Sequence, residues 1–401
     1  MKNKQAMSWS YKSLNVYFLK ILLFIIVAMI MSCRKQLDQQ VNPSSEPENN
    51  FKDVFNAFWN GMNRNYVMWD IDTTNWNNMY RIFSPAFSKL QIDNPVDRAL
   101  AAHYLRQMSI GLRDSHYSLE FNDPLLKDSS IIPADIRLKQ RPDYHLPYPA
   151  DYFDQIAQRY LDQPYYAAAY NTDQQHSLRY IAGTIHNHIL YFRLNAFSVY
   201  RAFNGDNNGM TVLLNFVFNS IKNNNTRGVI FDLRDNTGGD LQDLNFLVGQ
   251  FISSPLQYGS SRYKSNNNPF DHTPWMPALI TPAPGSKKFT KKIVVLVNMH
   301  SISMAELTTM ALKALPNTVV IGERTYGANG LLTNEEDLND GSFNVGDFAN
   351  IQMASALFKF KDNQVYEGVG FPPDIQVSYN ESQVGIYVDK QFEKAISLFV
   401  P

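Results

Sequence analysis

Residues 291–330 read KKIVVLVNMHSISMAELTTMALKALPNTVVIGERTYGANG. The apolar run at 293–297 is too short to span a membrane and is rich in β-branched residues, so it reads as a strand buried in a parallel sheet. After a polar turn, Leu307, Met310, Ala311 and Ala314 recur at helical spacing. Their helix starts behind Ser303-Met304-Ala305-Glu306, the Ser-x-x-Glu pattern of a capping box. Residues 318–321 form a second buried strand. The unit is strand, serine-bearing turn, helix, strand. Ser303 is therefore either a plain helix cap or a nucleophile placed among the free backbone N–H groups at the positive end of a helix.

The same alternation precedes this unit. Strands are expected at 189–194 and 229–233 and helices at 210–221 and 243–251, which argues for a mainly parallel sheet covered on both faces. The second strand runs into RDNTGGD, residues 234–240. Open α/β sheets place ligands at the carboxyl ends of their strands, so this turn and the Ser303 turn are expected on one rim. Gly238 and Gly239 either bring backbone N–H groups up to a reacting carbonyl or serve a tight connection that needs positive φ. No Gly-Lys-Ser/Thr follows, so the turn is not a phosphate loop.

Nearer the N-terminus, Phe51, Phe55, Phe58, Trp59, Met62 and Tyr66 recur at helical spacing, and a further helix is expected at 99–108 after Asp93-Asn94-Pro95. Residues 51–118 read as a small helical domain. It ends in GLRDSHYSLEF, where Tyr117, Leu119 and Phe121 alternate with polar residues as in a strand. His116 thus stands at a helix-to-strand junction, and histidine titrates near neutrality. His186 and His188, two apart, have no acidic or cysteine partner at ligand spacing, so no metal site and no cofactor are expected. Residues 119–180 read as a loop-rich insertion whose patches RPDYHLPYPADYF and LDQPYYAAAY could line substrate. Residues 181–401 complete an α/β domain.

The chain opens as a targeting segment. Lys2, Lys4, Lys12 and Lys20 form a basic region before the apolar run at 21–31. Then comes Ile30-Met31-Ser32-Cys33, which resembles a bacterial lipobox; residues 1–33 are expected to be a lipoprotein signal peptide, with Cys33 lipidated. Cys33 is the sole cysteine, so no internal disulfide can form. Residues 34–50 read as a flexible tether. A periplasmic or cell-surface protein anchored by lipid to a bacterial membrane is expected. With 44% hydrophobic and 18% charged residues the composition is globular, and a formal net charge of -1 gives no reason to expect nucleic acid. Oligomeric state is not legible.

Four motifs in order carry a family resemblance: LRDSHY at 112–117, GVIFDLRDNTGG at 228–239, VVLVNMHSISMAE at 294–306 with VVIGERTYG at 319–327, and EGVGFPPDIQV at 367–377. They resemble the serine peptidase family of tail-specific (C-terminal processing) proteases, the tricorn protease core and the retinoid-binding modules of the photoreceptor matrix. The resemblance implies a crotonase/ClpP-like α/β fold of repeated ββα units with a helical N-terminal domain, and polypeptide substrates. Tail-specific members pair the serine with a lysine where this chain has Ala328. The tricorn-like arrangement matches instead, and implies Ser303 as nucleophile, His116 as base, Ser115 and Glu367 as its orienting groups, and the N–H groups of Met304 and of Gly238 or Gly239 as oxyanion hole. Adjacent residues on a strand face opposite ways, so Ser115 can touch the His116 ring only if the chain turns there; otherwise Asp114 is the rival orienter. No PDZ signature is found at 121–179. Because the family includes ligand-binding members, a binding protein on the same fold stays as the alternative to an exported endopeptidase.

Overall fold

The computed structural model describes residues 50–127, 129–171, 176–205, 208–265, 268–332 and 341–399. The targeting segment and Cys33 lie outside them. No helix among the described residues is long and apolar enough to cross a membrane.

In chain order, three helices come first: α1 (Phe51–Asn65), α2 (Trp76–Phe87) and α3 (Pro95–Ser109). Each N-cap is an asparagine (Asn50, Asn75, Asn94) whose side chain accepts a backbone N–H of the first turn. After the short strand β1 (Ser118–Phe121) come α4 (Pro133–Lys139) and α5 (Tyr152–Tyr160). The sheet begins with β2 (Tyr165–Asn171), β3 (His176–Ile185) and β4 (Ile189–Leu194). It continues through α6 (Val199–Asn204), α7 (Asn208–Lys222), β5 (Gly228–Asp232) and α8 (Gln242–Val248). Next are β6 (Leu256–Tyr263), β7 (Met276–Ile280), β8 (Lys292–Val297), α9 (Met304–Lys313) and β9 (Thr318–Gly322). The chain closes with β10 (Ser342–Val345), β11 (Ala349–Gln352), β12 (Ala356–Phe360), β13 (Ile375–Gln376), α10 (Glu381–Val384) and α11 (Lys390–Ser397).

Seven strands form the main sheet in the order β13-β9-β8-β5-β4-β3-β2. From β13 to β4 the pairing is parallel; β3 and β2 run antiparallel, so the sheet is mixed. The α/β expectation holds, and its parallel part is the stretch with apolar runs. Every residue of β4 and β5 is buried, as a sheet covered on both faces requires. His186 and His188 sit on the β3–β4 hairpin turn, where His186 and Asn187 have positive φ, and not on one face of a strand.

Two smaller sheets, β1-β11-β10 and β12-β6-β7, carry segments the sequence pattern did not resolve. Helices α1–α3 share one core with the first of them. Phe51, Phe55 and Phe58 pack in the same cluster as Phe343, Phe348 and Ile351. The strand expected after His116 is thereby tied to the C-terminal third of the chain, with Leu119 opposite Ile351.

Candidate active site

The turns that follow β5 and β8 are laced together at the carboxyl rim. Asn298 bonds Asp235 twice, Nδ2 donating to Oδ1 (2.6 Å) and Oδ1 accepting the Asp235 N–H (3.0 Å). The Ile302 N–H donates to the Asn236 carbonyl at 2.9 Å. This lacing seats Gly238 against the serine: a Cβ on Gly238 would stand 2.7 Å from Ser303 Cβ. Gly239 is held as closely on its other side, where a Cβ would meet the Phe197 carbonyl. Both glycines have positive φ, 91° and 139°.

Ser303 itself has φ 56° and ψ -113°, a region that L-residues avoid and that surrounding structure must impose. What imposes it is Glu306. Its buried carboxylate accepts N–H groups from Ser303 (3.2 Å), Gly327 (2.8 Å) and Ala328 (2.6 Å) and the Thr325 hydroxyl (2.5 Å). Burial raises the Glu306 pKa against the pull of those donors. Ser303 Oγ lies 3.1 Å from His116 Nε2 across 187 residues of chain. No acceptor is found among the described residues for the N–H of Met304 or of Gly239, whereas the Gly238 N–H donates to Asn236 Oδ1 at 2.9 Å.

The histidine side is assembled from distant segments. Ser115 and His116 lie in a bend, and Asp114 Oδ1 accepts the His116 backbone N–H at 2.8 Å. Asp114 Oδ2 accepts the Ala354 N–H at 2.8 Å. Glu367 Oε1 accepts the Ser115 N–H (2.7 Å), and its Oε2 accepts those of Asn329 and Gly330 (2.6 Å each). One ring nitrogen of His116 and one oxygen each of Asp114 and Glu367 lie within 4.8 Å of one another, yet His116 Nδ1 is buried without a hydrogen-bond partner. Neither Ser115 Oγ nor Asp114, the two orienters the bend had to choose between, bonds the ring: Ser115 Oγ accepts from Arg137 at 2.9 Å. Burial lowers the His116 pKa to about 4. It raises both carboxylates, with the charges of Asp114 and Glu306 adding to the shift of Glu367. The histidine and two carboxylates are the one trio among the described residues close enough to hold a cation, but their oxygens are already engaged by backbone N–H groups.

Ala328 fills the lysine position, and its N–H serves Glu306. Lys361 and Lys359 are engaged with other groups: Lys361 Nζ donates to the Ala314 carbonyl (2.8 Å), and Lys359 Nζ lies 4.4 Å from the Trp275 ring.

A serine on a strained strand-to-helix turn, a histidine on its hydroxyl, and unengaged N–H groups beside both form a site suited to acyl transfer. Residues 188–377 match the profile of Peptidase family S41. The chain carries a Peptidase family S41 domain. Curated relatives agree: the nisin-resistance protein of Lactococcus lactis subsp. lactis is 26% identical over 195 residues, 48% of this chain and 59% of that protein. The carboxy-terminal processing protease CtpA of Bacillus subtilis is 25% identical over 170 residues, 42% of this chain and 33% of that protease. This chain thus spans less than two thirds of either relative. A Parabacteroides merdae protein solved as a candidate peptidase shares the fold, with TM-score 0.66 and 21% identity over 88% of this chain and 98% of that one.

The S41 domain contains the Ser303 turn, the glycine turn and Glu367, while His116 comes from outside the matched span. Sequence reasoning missed Arg137, Asn236 and the pairing of Glu306 with the loop after β9. It also missed Arg234, wholly buried and salt-bridged to Asp232 and Asp389, which ties the glycine turn to α11. Only Glu306 left a local signal, its capping-box spacing.

Proposed function

We propose that this protein is an exported, lipid-anchored serine endopeptidase that cleaves polypeptides through an acyl-enzyme. The observation that carries the reading is the 3.1 Å approach of His116 Nε2 to the Oγ of a conformationally strained Ser303. Ser303 Oγ attacks the scissile carbonyl while His116 Nε2 takes its proton and later delivers it to the leaving amine. The carbonyl oxygen, now charged, is received by the N–H groups of Met304 and Gly239; Gly238 serves by close packing, since its own N–H is engaged. Glu367 is the countercharge for the imidazolium, with Ser115 between them. Such contacts tighten when substrate expels water, which accounts for an Nδ1 still unpartnered in the free protein. Lipid on Cys33 would tether the enzyme at a bacterial membrane.

That unpartnered Nδ1 also favours a second reading, a binding protein that uses the same cleft without cleavage. A fluorophosphonate probe separates them. Labelling of the wild type and not of Ser303→Ala is expected; equal labelling of both overturns the nucleophile, and no labelling of either favours binding.

A further inference from the structure

We propose that the pocket between the end of α7 and the connection from β7 to β8 binds the phosphate-bearing headgroup of an anionic phospholipid, and so seats the amino end of the main sheet on a membrane surface. The proposal goes beyond the peptidase reading and does not rest on it.

The sequence carries an uneven charge pattern. No acidic residue occurs between Asp206 and Asp232 or between Asp271 and Glu306, yet those two stretches hold Lys222, Arg227, Lys287, Lys288, Lys291 and Lys292. A formal net charge of -1 for the whole chain hides this asymmetry. The fold brings the two stretches together: Lys291 Nζ donates to the carbonyls of Asn223 (3.2 Å) and Asn224 (2.8 Å), just past the end of α7. The connection is fixed on either side of Lys287 and Lys288. Ser286 Oγ donates to the Ile252 carbonyl (2.6 Å), and the buried Phe289 packs edge-on against Phe251, their ring centres 5.3 Å apart.

Between these segments lies a pocket of about 360 Å³, lined by Lys222, Lys287, Lys288 and Lys291 and by no acidic side chain. Lys222, Lys287 and Lys288 are exposed and form no hydrogen bond or ion pair among the described residues. Cations gathered around one concavity repel each other, and an anion placed among them removes that repulsion. A bare ion would underfill a space that lies in the range of small-molecule sites. The uncharged lining of Asn223, Asn224 and Thr290 suits hydroxyl groups attached to the anion, as in a glycerol headgroup. The lysines stand at an exposed mouth and not on a buried floor, which favours a surface of many headgroups, where their attractions add, over a single soluble phosphate. The six residues of β8 span about 20 Å from this end to the other, so a bilayer held here leaves the rim bearing Ser303 open to substrate.

The test is amine footprinting of the full chain, with brief acylation read lysine by lysine in a mass spectrometer. It is run in solution, on vesicles of phosphatidylcholine, and on vesicles of phosphatidylcholine and phosphatidylglycerol in equal parts. Acylation of Lys222, Lys287 and Lys288 is expected to slow about fivefold or more on the mixed vesicles alone, with the exposed Lys89 and Lys127 unchanged. In the double variant Lys287→Gln, Lys288→Gln, protection of Lys222 should be lost. Equal slowing at Lys89 and Lys127 would reveal general attraction of the protein to charge, and no slowing on the mixed vesicles would leave no headgroup site; either result overturns the proposal. So does a Lys222 that stays protected in the double variant, since the lysines would then not act as one site. Inorganic phosphate without vesicles should leave the rates unchanged, and protection of the same three lysines by it would assign the pocket to a soluble anion instead.

Discussion

The turn bearing Ser303 and the turn bearing His116 face each other across 3.1 Å, but they are furnished in opposite ways. The first draws on its own neighbourhood. Glu306, three residues along, gathers the Ser303 N–H together with the loop immediately after β9, and all its bonds are met. The second is furnished from afar: Glu367 comes from 252 residues on, the Ala354 N–H from 240, and the ring is left with one nitrogen unmatched. The Glu306 carboxylate is fully bonded, whereas the His116 ring is half-bonded and meets the Ser303 hydroxyl. Stability and reactivity should therefore separate between the two turns.

The sharpest break is His116→Ala. Its labelling rate should fall about a hundredfold to ten-thousandfold, with the denaturation midpoint unchanged or higher, because the ring is buried with an orphan nitrogen. A large loss of stability would mean the ring is a structural member. Gly239→Ala should lower the labelling rate about a hundredfold to a thousandfold, since φ of 139° and the Phe197 carbonyl leave no room for a methyl group. Labelling at the wild-type rate would remove Gly239 from the oxyanion site. Glu306→Gln should do the reverse of His116→Ala. One amide oxygen cannot serve donors from Ser303, Gly327, Ala328 and Thr325, so urea denaturation should show a loss of about 1–3 kcal/mol.

Acidity sharpens the contrast with smaller effects. With His116 pushed down to about 4 by burial, the acid limb of the labelling rate should lie well below the ordinary histidine range. A limb near neutrality would show that the ring is solvated in solution. His145 has the opposite sign. Its Nδ1 faces the Leu146 carbonyl (2.6 Å) and its Nε2 faces Glu323 (2.8 Å), so both nitrogens must carry protons. Burial lowers its pKa, but Glu323, the Leu146 carbonyl and the charge of Asp235 outweigh that and raise it. The folded value lies above the unfolded one, so this stabilisation is complete at acid pH and is lost as pH rises through the folded value. Hydrogen-exchange protection of residues 141–148 should fall along that limb in wild type and be flat in His145→Gln.

The same contrast decides what could be read from the chain alone. The Ser303 turn was legible because cap, helix and both strands announce themselves within a few residues, and β4 matches its expected bounds. His116 and Glu367 were found through motifs in a fixed order, since nothing near either one advertises its role. Arg137 left no trace: α4 is too short for a period, and the value of the residue lies in three acceptors 22 to 25 positions away. β6, β7 and β12 escaped for a related reason. β12 pairs with β6 across nearly a hundred residues, and exposed faces are mixed, as with Met276 and Leu279 on β7, so alternation is blurred.

The pairing of β1 with β11 has a further bearing on how the molecule is made. Synthesis runs from the N-terminus, and early segments ordinarily collapse first. Here α1–α3 cannot close their shared core until Phe343 to Leu357 have followed, and the bend at His116 gains Glu367 later still. A partly synthesised chain thus has the His116 turn unassembled, and Ser303 and His116 meet as they do here only when almost the whole polypeptide has been made.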